Sequence, residues 1–121
     1  MAITLDHTIV PAHDKDRAAG FFAQMLGLGP VGALGGFAVL EVNPSLTFDF
    51  AERDRFESHH YAFRVTPEEF DAILDRVIHA GVAYSSDPFQ RDMGALYDRD
   101  GDRGFYFQDP EGHVLEVITH E

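Results

Sequence analysis

The strongest constraint on the fold of this 121-residue chain is an internal duplication. A strand pattern, an amphipathic helix and a glycine that ends the helix occur in the first half of the chain and recur in the same order in the second. His7 and His60 lie near the start of the two strand patterns, 53 positions apart, and the glycines Gly27 and Gly81 are 54 positions apart. A period near 50 residues indicates a repeat architecture. Only two copies are present, which favours a closed pair of modules over a solenoid.

We therefore predict an α+β fold in one domain, with module one at about residues 1–55 and module two at about residues 56–121. Each module is expected to be a βαβββ unit. Asp14 is placed to cap the first helix. In the second module, Thr66 and Glu69 have the spacing of a capping box around Pro67, and an apolar face of period 3.6 follows.

Turn residues divide the remaining sequence into strands. The stretch GLGPVGALGG, residues 27–36, is predicted to be turn-rich, and Pro44 is expected to connect two strands as a hairpin. DRDGDR at 98–103 is predicted to be a hairpin turn. The segment 109–112, Asp-Pro-Glu-Gly, fits a type I turn because Asp is at the first position, Pro at the second and Gly at the fourth.

The composition limits the partners and the location of the protein. The chain has 21 acidic and 9 basic residues, a formal net charge of −12. Such a surface repels nucleic acids and anionic lipids, so neither is expected as a partner. No apolar run approaches the roughly 20 residues that span a bilayer, and the N-terminus lacks a signal-peptide pattern, so a cytoplasmic location is expected. Because the chain has no cysteine, any metal must be held by nitrogen and oxygen ligands.

Three residues on three predicted strands form a candidate metal-ligand set: His7 in ITLDHTIV, His60 in HHYAFRV and Glu116 in HVLEVIT. Successive side chains of a strand point to opposite faces of the sheet. Strand parity therefore allows all three candidates to point to the face away from the helices. A carboxylate between apolar neighbours is expensive to bury without a partner, and a metal is one such partner. Two imidazoles and one carboxylate hold a divalent metal on one side and leave positions open for oxygen ligands.

These segments, together with FFAQMLGLG and above all GFYFQDPEGHVLEV, resemble the vicinal oxygen chelate superfamily of glyoxalases, bleomycin resistance proteins and extradiol dioxygenases. The resemblance covers nearly the whole chain. It implies paired βαβββ modules that form an open, U-shaped barrel around one divalent metal (Fe, Mn, Ni, Co or Zn). It also implies a homodimer and a small substrate whose neighbouring oxygens bind the metal, which acts as a Lewis acid.

The resemblance places His7, His60 and Glu116 at the metal-ligand positions, and Glu116 is also counted among the catalytic candidates. Glyoxalase I has a further glutamate ligand on the last strand of the first module, where this chain reads SLTFDF. The aligned position is Ser45, a poor ligand. Asp49, Glu41 or water remain the alternatives, and Asp49 is the candidate for the carboxylate base that a glyoxalase needs.

Other residues are candidates for supporting roles. The extradiol branch uses a second-sphere histidine and tyrosine, for which Tyr106 and Tyr97 are available and His113 or His59 can be nominated, although strand alternation places His59 on the helix side. Arg64, on the His60 face, is predicted either to contact an anionic group of the substrate or to form a salt bridge. The remaining histidines are expected at the surface, namely His13, His79 and His120.

The sequence is compatible with two classes of function. The first is a metal-dependent enzyme of the dioxygenase or lyase type. The second is a non-catalytic binding protein of the bleomycin-resistance type. Binding members of the superfamily generally lack the metal ligands, which this chain retains, so the enzyme is preferred.

Overall fold

The computed structural model describes residues 3–119, so His120 lies outside the described residues. The chain divides into two compact units, Met1–Glu57 and Ser58–Glu121. Each unit contains one helix and one sheet. The predicted α+β class with two βαβββ modules is confirmed. No helix within residues 3–119 is long and apolar enough to cross a membrane.

The first unit packs helix α1 on one face of a four-stranded sheet. Its elements are β1 (His7–Ala12), α1 (Lys15–Leu26), β2 (Gly32–Leu34), β3 (Phe37–Asn43) and β4 (Leu46–Glu52). The strand order is β1-β4-β3-β2, in which β1 runs parallel to β4 and the other pairs are antiparallel. Phe22 of α1 packs edge-on against Phe48 and Phe50 of β4, with ring centroids 6.0 and 5.1 Å apart. Burying these aromatic rings stabilises the unit through the hydrophobic effect.

The second unit repeats this plan. Its elements are β5 (His60–Val65), α2 (Pro67–His79), β6 (Tyr84–Ser85), β7 (Tyr97–Arg99), β8 (Asp102–Gln108) and β9 (Val114–Thr119). The strand order is β5-β9-β8-β6, and β5 runs parallel to β9. Phe70 of α2 meets Phe105 of β8 with ring centroids 5.3 Å apart, which defines the helix side of this sheet. The short strands β6 and β7 both pair with β8, so together they form one interrupted edge strand.

The predicted helix ends are confirmed. Asp14 caps α1 by accepting a hydrogen bond from the backbone N–H of Arg17, and Gly27 ends the helix in the left-handed conformation, with φ 71°. The capping box of α2 is complete: the Thr66 hydroxyl accepts from the Glu69 N–H at 3.2 Å, and the Glu69 carboxylate accepts from the Thr66 N–H at 2.9 Å. The helix caps could be predicted from the sequence because capping depends on neighbours within four positions.

One element was missed. Residues 27–36 were predicted to be turn-rich, but Gly32–Leu34 forms the edge strand β2, paired with β3. All three residues of β2 are exposed, so the strand has no apolar alternation by which it could be recognised. The other turns agree with prediction: DRDGDR connects β7 to β8, and the Gly112 N–H donates to the Asp109 carbonyl at 3.1 Å, closing the predicted turn.

Candidate functional site

The candidate residues of the second unit share one face of its sheet, the face away from α2. Glu116 of β9 pairs with Ala62 of β5 on one side and with Tyr106 of β8 on the other. His60 lies two positions before Ala62 and therefore projects to the same face. The prediction that His60 and Glu116 lie on one face is confirmed within this unit.

Glu116 is the centre of a compact polar cluster. Its side chain is only 10 % exposed. Oε1 lies 3.1 Å from Nε2 of His60, and Oε2 accepts a hydrogen bond from the hydroxyl of Tyr97. A guanidinium nitrogen of Arg99 lies 3.9 Å from the same Oε2. A carboxylate in such a position requires polar partners, because burial of an unpartnered charge costs several kcal/mol or more.

Aromatic rings surround this cluster. The ring of Tyr106 meets His60 edge-on at 5.8 Å and lies 5.7 Å from the ring of Tyr97. The guanidinium of Arg99 stacks over Tyr97 at 4.5 Å from its centroid. A hydrogen bond with Tyr106 raises the pKa of Arg99, and burial, reinforced by the bond to Glu116, raises the pKa of Tyr97. Tyr97 is therefore a neutral hydroxyl donor, and Arg99 is a fixed cation beside it.

The first unit presents its own candidates on the face away from α1. Thr47 of β4 pairs with both His7 and Glu41, and Asp49, two residues further along β4, pairs with Ile9. The side chain of His7 is 61 % exposed, and its Nδ1 lies 2.8 Å from Oδ2 of Asp6. That hydrogen bond is the main reason that the pKa of His7 is raised, and the charge of Asp49 adds a smaller effect. His7 therefore shares one face of the sheet with Glu41 and Asp49, the two acids that were alternatives for a further metal ligand.

Arg64 lies on the same face as His60 and is held in a salt bridge. One of its guanidinium nitrogens donates to Oδ2 of Asp102 at 3.2 Å and to the carbonyl of Thr119 at 3.0 Å. Half of the Arg64 side chain, 51 %, remains exposed. The salt bridge that was one of the two alternatives for Arg64 is therefore present in the structure.

His59 and His113, the candidates for a second-sphere histidine, form a separate cluster with Tyr61. Tyr61 pairs with Leu115 and lies on the helix side of the sheet. Nδ1 of His113 accepts from the His59 N–H at 2.9 Å, and Nδ1 of His59 lies 2.6 Å from the Tyr61 hydroxyl. Oδ1 of Asp109 accepts from the His113 N–H at 2.7 Å. Burial raises the pKa of Asp109, and burial together with the charge of Asp109 raises the pKa of Tyr61 to about 12. These side chains hold the turn before β9 and do not face Glu116.

The donor types of the His60–Glu116 pair fit a divalent metal, because an imidazole nitrogen and a carboxylate oxygen are ligands that such ions accept. The pair supplies two ligands. Among residues 3–119, no three His, Asp or Glu side chains lie together in a group that could hold a metal ion. The third ligand of a metal at this pair must therefore come from outside the second unit or from solvent.

Sequence reasoning missed Arg99 and the role of Gly104. Tyr97 pairs with Gly104 across β7 and β8, and the Tyr97 ring passes over the glycine. Two signals pointed to this arrangement. Tyr97 and Arg99 are two positions apart on a strand and so share a face. Gly104 lies inside a strand between Arg103 and Phe105, where a glycine often marks a close approach.

Comparisons with known proteins identify the family of this chain. Residues 4–117 match the family model described as Glyoxalase/Bleomycin resistance protein/Dioxygenase superfamily. Two solved structures are similar over nearly their whole length. The protein named Oxidase ChaP-H2 is 41 % identical, with a TM-score of 0.94 and coverage of 100 % of this chain and 96 % of that one. Oxidase ChaP-H1 is 40 % identical, with a TM-score of 0.94 and coverage of 99 % and 98 %.

A curated relative, the glutathione transferase FosA of Serratia marcescens, is 28 % identical over an alignment of 124 positions. The alignment covers 97 % of this chain and 81 % of FosA. The family match extends over nearly all of both units. The chain belongs to the Glyoxalase/Bleomycin resistance protein/Dioxygenase superfamily.

Proposed function

We propose that this protein is a divalent-metal-dependent enzyme that oxidises a small molecule carrying neighbouring oxygen atoms, with the metal held by His60, Glu116 and His7. The observation that carries the proposal is the contact between His60 and Glu116. The carboxylate of Glu116 is nearly buried and lies 3.1 Å from the imidazole, so two suitable donors are already adjacent. A bound metal would supply a Lewis acid that polarises the oxygens of the substrate.

Two findings support an oxidative reaction over a lyase reaction. The two solved structures described above, which are 41 % and 40 % identical to this chain, carry the name oxidase. A glyoxalase I would also have a glutamate ligand on the last strand of the first module, where Ser45 stands at the aligned position. Asp49 shares a face with His7 and is the proposed acid or base on that side.

The protein's own residues have distinct proposed roles. Tyr97 and Arg99 hold the carboxylate of Glu116, and Tyr106 forms the wall beside His60. Arg64 is proposed to contact an anionic group of the substrate through the exposed half of its side chain. The third ligand, His7, comes from the same chain or from a second copy in the proposed homodimer. The acidic surface supports a partner that is neither nucleic acid nor an anionic membrane. A cytoplasmic location is part of the same proposal.

Metal analysis tests the proposal directly. Protein purified without chelator and titrated with Fe(II), Mn(II), Co(II), Ni(II) or Zn(II) should take up one equivalent per chain. His60→Ala, Glu116→Ala and His7→Ala should each abolish that uptake. His79→Ala is the matched control, because His79 is exposed at the end of α2 and should leave uptake unchanged.

Uptake below about a tenth of an equivalent in the unmodified protein would contradict the proposal and favour the binding-protein alternative. Uptake that survives all three ligand substitutions would show that the site is elsewhere. Nitric oxide added to Fe(II)-loaded protein should give an electron paramagnetic resonance signal of an iron adduct, since an enzyme of this kind needs open metal positions.

A further inference from the structure

We infer that Tyr97 is a positioning residue for Glu116, and that it can reach Glu116 only because residue 104 is glycine. The inference rests on the proposed metal-binding function and deepens it, because it states how one ligand is fixed before the metal arrives. Four neighbouring residues carry the argument: Tyr97 and Arg99 on β7, Gly104 on β8 and Glu116 on β9.

The glycine is required for space and not for backbone conformation. Gly104 does not have the positive φ that would favour glycine, and a side chain there would be compatible with the strand. A Cβ atom built on Gly104 would, however, overlap Cζ, Oη and Cε2 of Tyr97. These atoms belong to a ring that cannot bend, so any larger residue at position 104 must displace the Tyr97 hydroxyl.

The Tyr97 hydroxyl selects between the two oxygens of Glu116. It donates to Oε2, whereas Oε1 is the oxygen that lies 3.1 Å from Nε2 of His60. Because Oε2 is occupied by the hydroxyl and has Arg99 at 3.9 Å, Oε1 is the oxygen left facing the imidazole. Tyr97 thereby holds the carboxylate in the rotation that places its other oxygen beside the other ligand. Partners of this kind restrict a ligand to one orientation and strengthen metal binding.

Three residues contact the ring of Tyr97. Its ring stacks under the guanidinium of Arg99 at 4.5 Å and rests over Gly104 on the sheet. Its neighbour Tyr106 contacts both the ring and His60. The hydroxyl therefore has little freedom to leave Glu116, which is the property that a positioning residue needs.

The test measures Co(II) binding by isothermal titration calorimetry and the visible absorption spectrum of the Co(II) protein. The variants are Tyr97→Phe, Gly104→Ala and the double variant. Tyr84→Phe controls for the loss of a hydroxyl, because Tyr84 packs on the helix side against Phe105. Gly20→Ala controls for the added methyl group, because a Cβ at Gly20 meets nothing within 4 Å.

We expect Tyr97→Phe and Gly104→Ala each to weaken Co(II) binding by about 10- to 100-fold and to change the Co(II) spectrum. The double variant should bind no more weakly than the worse single variant, because both changes remove the same hydrogen bond. The two controls should bind as the unmodified protein does.

Tyr97→Phe binding Co(II) with unchanged affinity and spectrum would overturn this inference alone. Additive losses in the double variant would overturn the link between Gly104 and Tyr97. An unmodified protein that binds no metal would instead overturn the proposed function, and this inference with it. Tyr97→Phe keeps the ring in place, so it gives an answer even if Gly104→Ala does not fold.

Discussion

Replacing Glu116 with glutamine separates the role of this residue in metal binding from its role in the fold. The glutamine side chain would have the same shape as the native one. Its carbonyl oxygen can accept from the Tyr97 hydroxyl, and its amide can donate to Nε2 of a neutral His60, so both hydrogen-bond contacts of the native carboxylate are kept. The charge interaction with Arg99, at 3.9 Å on an exposed side chain, is the contact that is lost. Without metal, the free energy of unfolding should therefore change by less than about 1 kcal/mol.

The effect of metal should be much larger. A ligand present at 100 times its dissociation constant stabilises the folded state by about 2.7 kcal/mol. For a chain of this length, that corresponds to a rise in melting temperature of roughly 10 °C. We expect this rise in the unmodified protein and its loss in Glu116→Gln, because an amide is a poor ligand in place of a carboxylate.

The assay is thermal unfolding followed by circular dichroism, with and without Co(II) at 100 times the dissociation constant of the unmodified protein. Glu57→Gln is the matched control, since Glu57 is exposed and should leave both melting temperatures unchanged. A metal-induced rise in Glu116→Gln equal to that of the unmodified protein would refute the role of Glu116 as a ligand. A fall of several kcal/mol without metal would refute the interpretation that glutamine preserves its contacts.

Two further predictions concern the second unit. Thr66→Ala removes the hydroxyl that accepts from the Glu69 N–H, so urea unfolding should show a loss of about 1 kcal/mol, and an unchanged free energy of unfolding would contradict the capping role. The raised pKa of Tyr61, about 12 against an ordinary value near 10, contributes stability that is present below pH 10 and is lost as the pH rises towards 12. In Tyr61→Phe, the free energy of unfolding, measured with urea between about pH 9 and pH 11.5, should therefore fall less steeply as the pH rises. The difference in slope should be smaller than the roughly 1.4 kcal/mol per pH unit expected for one fully buried proton. Tyr84→Phe should keep the native slope, and equal slopes in all three proteins would show that Tyr61 is not responsible.

Much of the fold could be predicted because its signals are local. The caps at Asp14 and Thr66 depend on neighbours within one helical turn, and strand alternation correctly placed His60 and Glu116 on one face. Strand β2 could not be predicted, because Gly32–Leu34 is exposed on both faces and forms only through pairing with β3. Edge strands of this kind are specified by their partner strand and carry little pattern of their own.

The candidate site was predicted less completely, for a related reason. Residue type and parity identified the histidines and Glu116, but the cluster around Glu116 also depends on contacts between side chains from different strands. Arg99 reaches the site by stacking on Tyr97, and Gly104 matters because of the ring that covers it. The parity of Tyr97 with Arg99 and the glycine inside β8 are signals of this arrangement, but neither signal identifies Glu116 of β9 as the residue that Tyr97 and Arg99 contact.

The parallel pairing of β5 with β9 has a consequence for how the site is made. These strands are the first and the last of the second unit, and the two candidate ligands that they carry are 56 positions apart. Pairing over such a separation closes a long loop and is expected late in folding, after the helix and the β8–β9 hairpin have formed. During synthesis on the ribosome, His60 is therefore made well before Glu116 is available to contact it. The candidate ligand pair is therefore completed only when β5 and β9 pair and the unit closes.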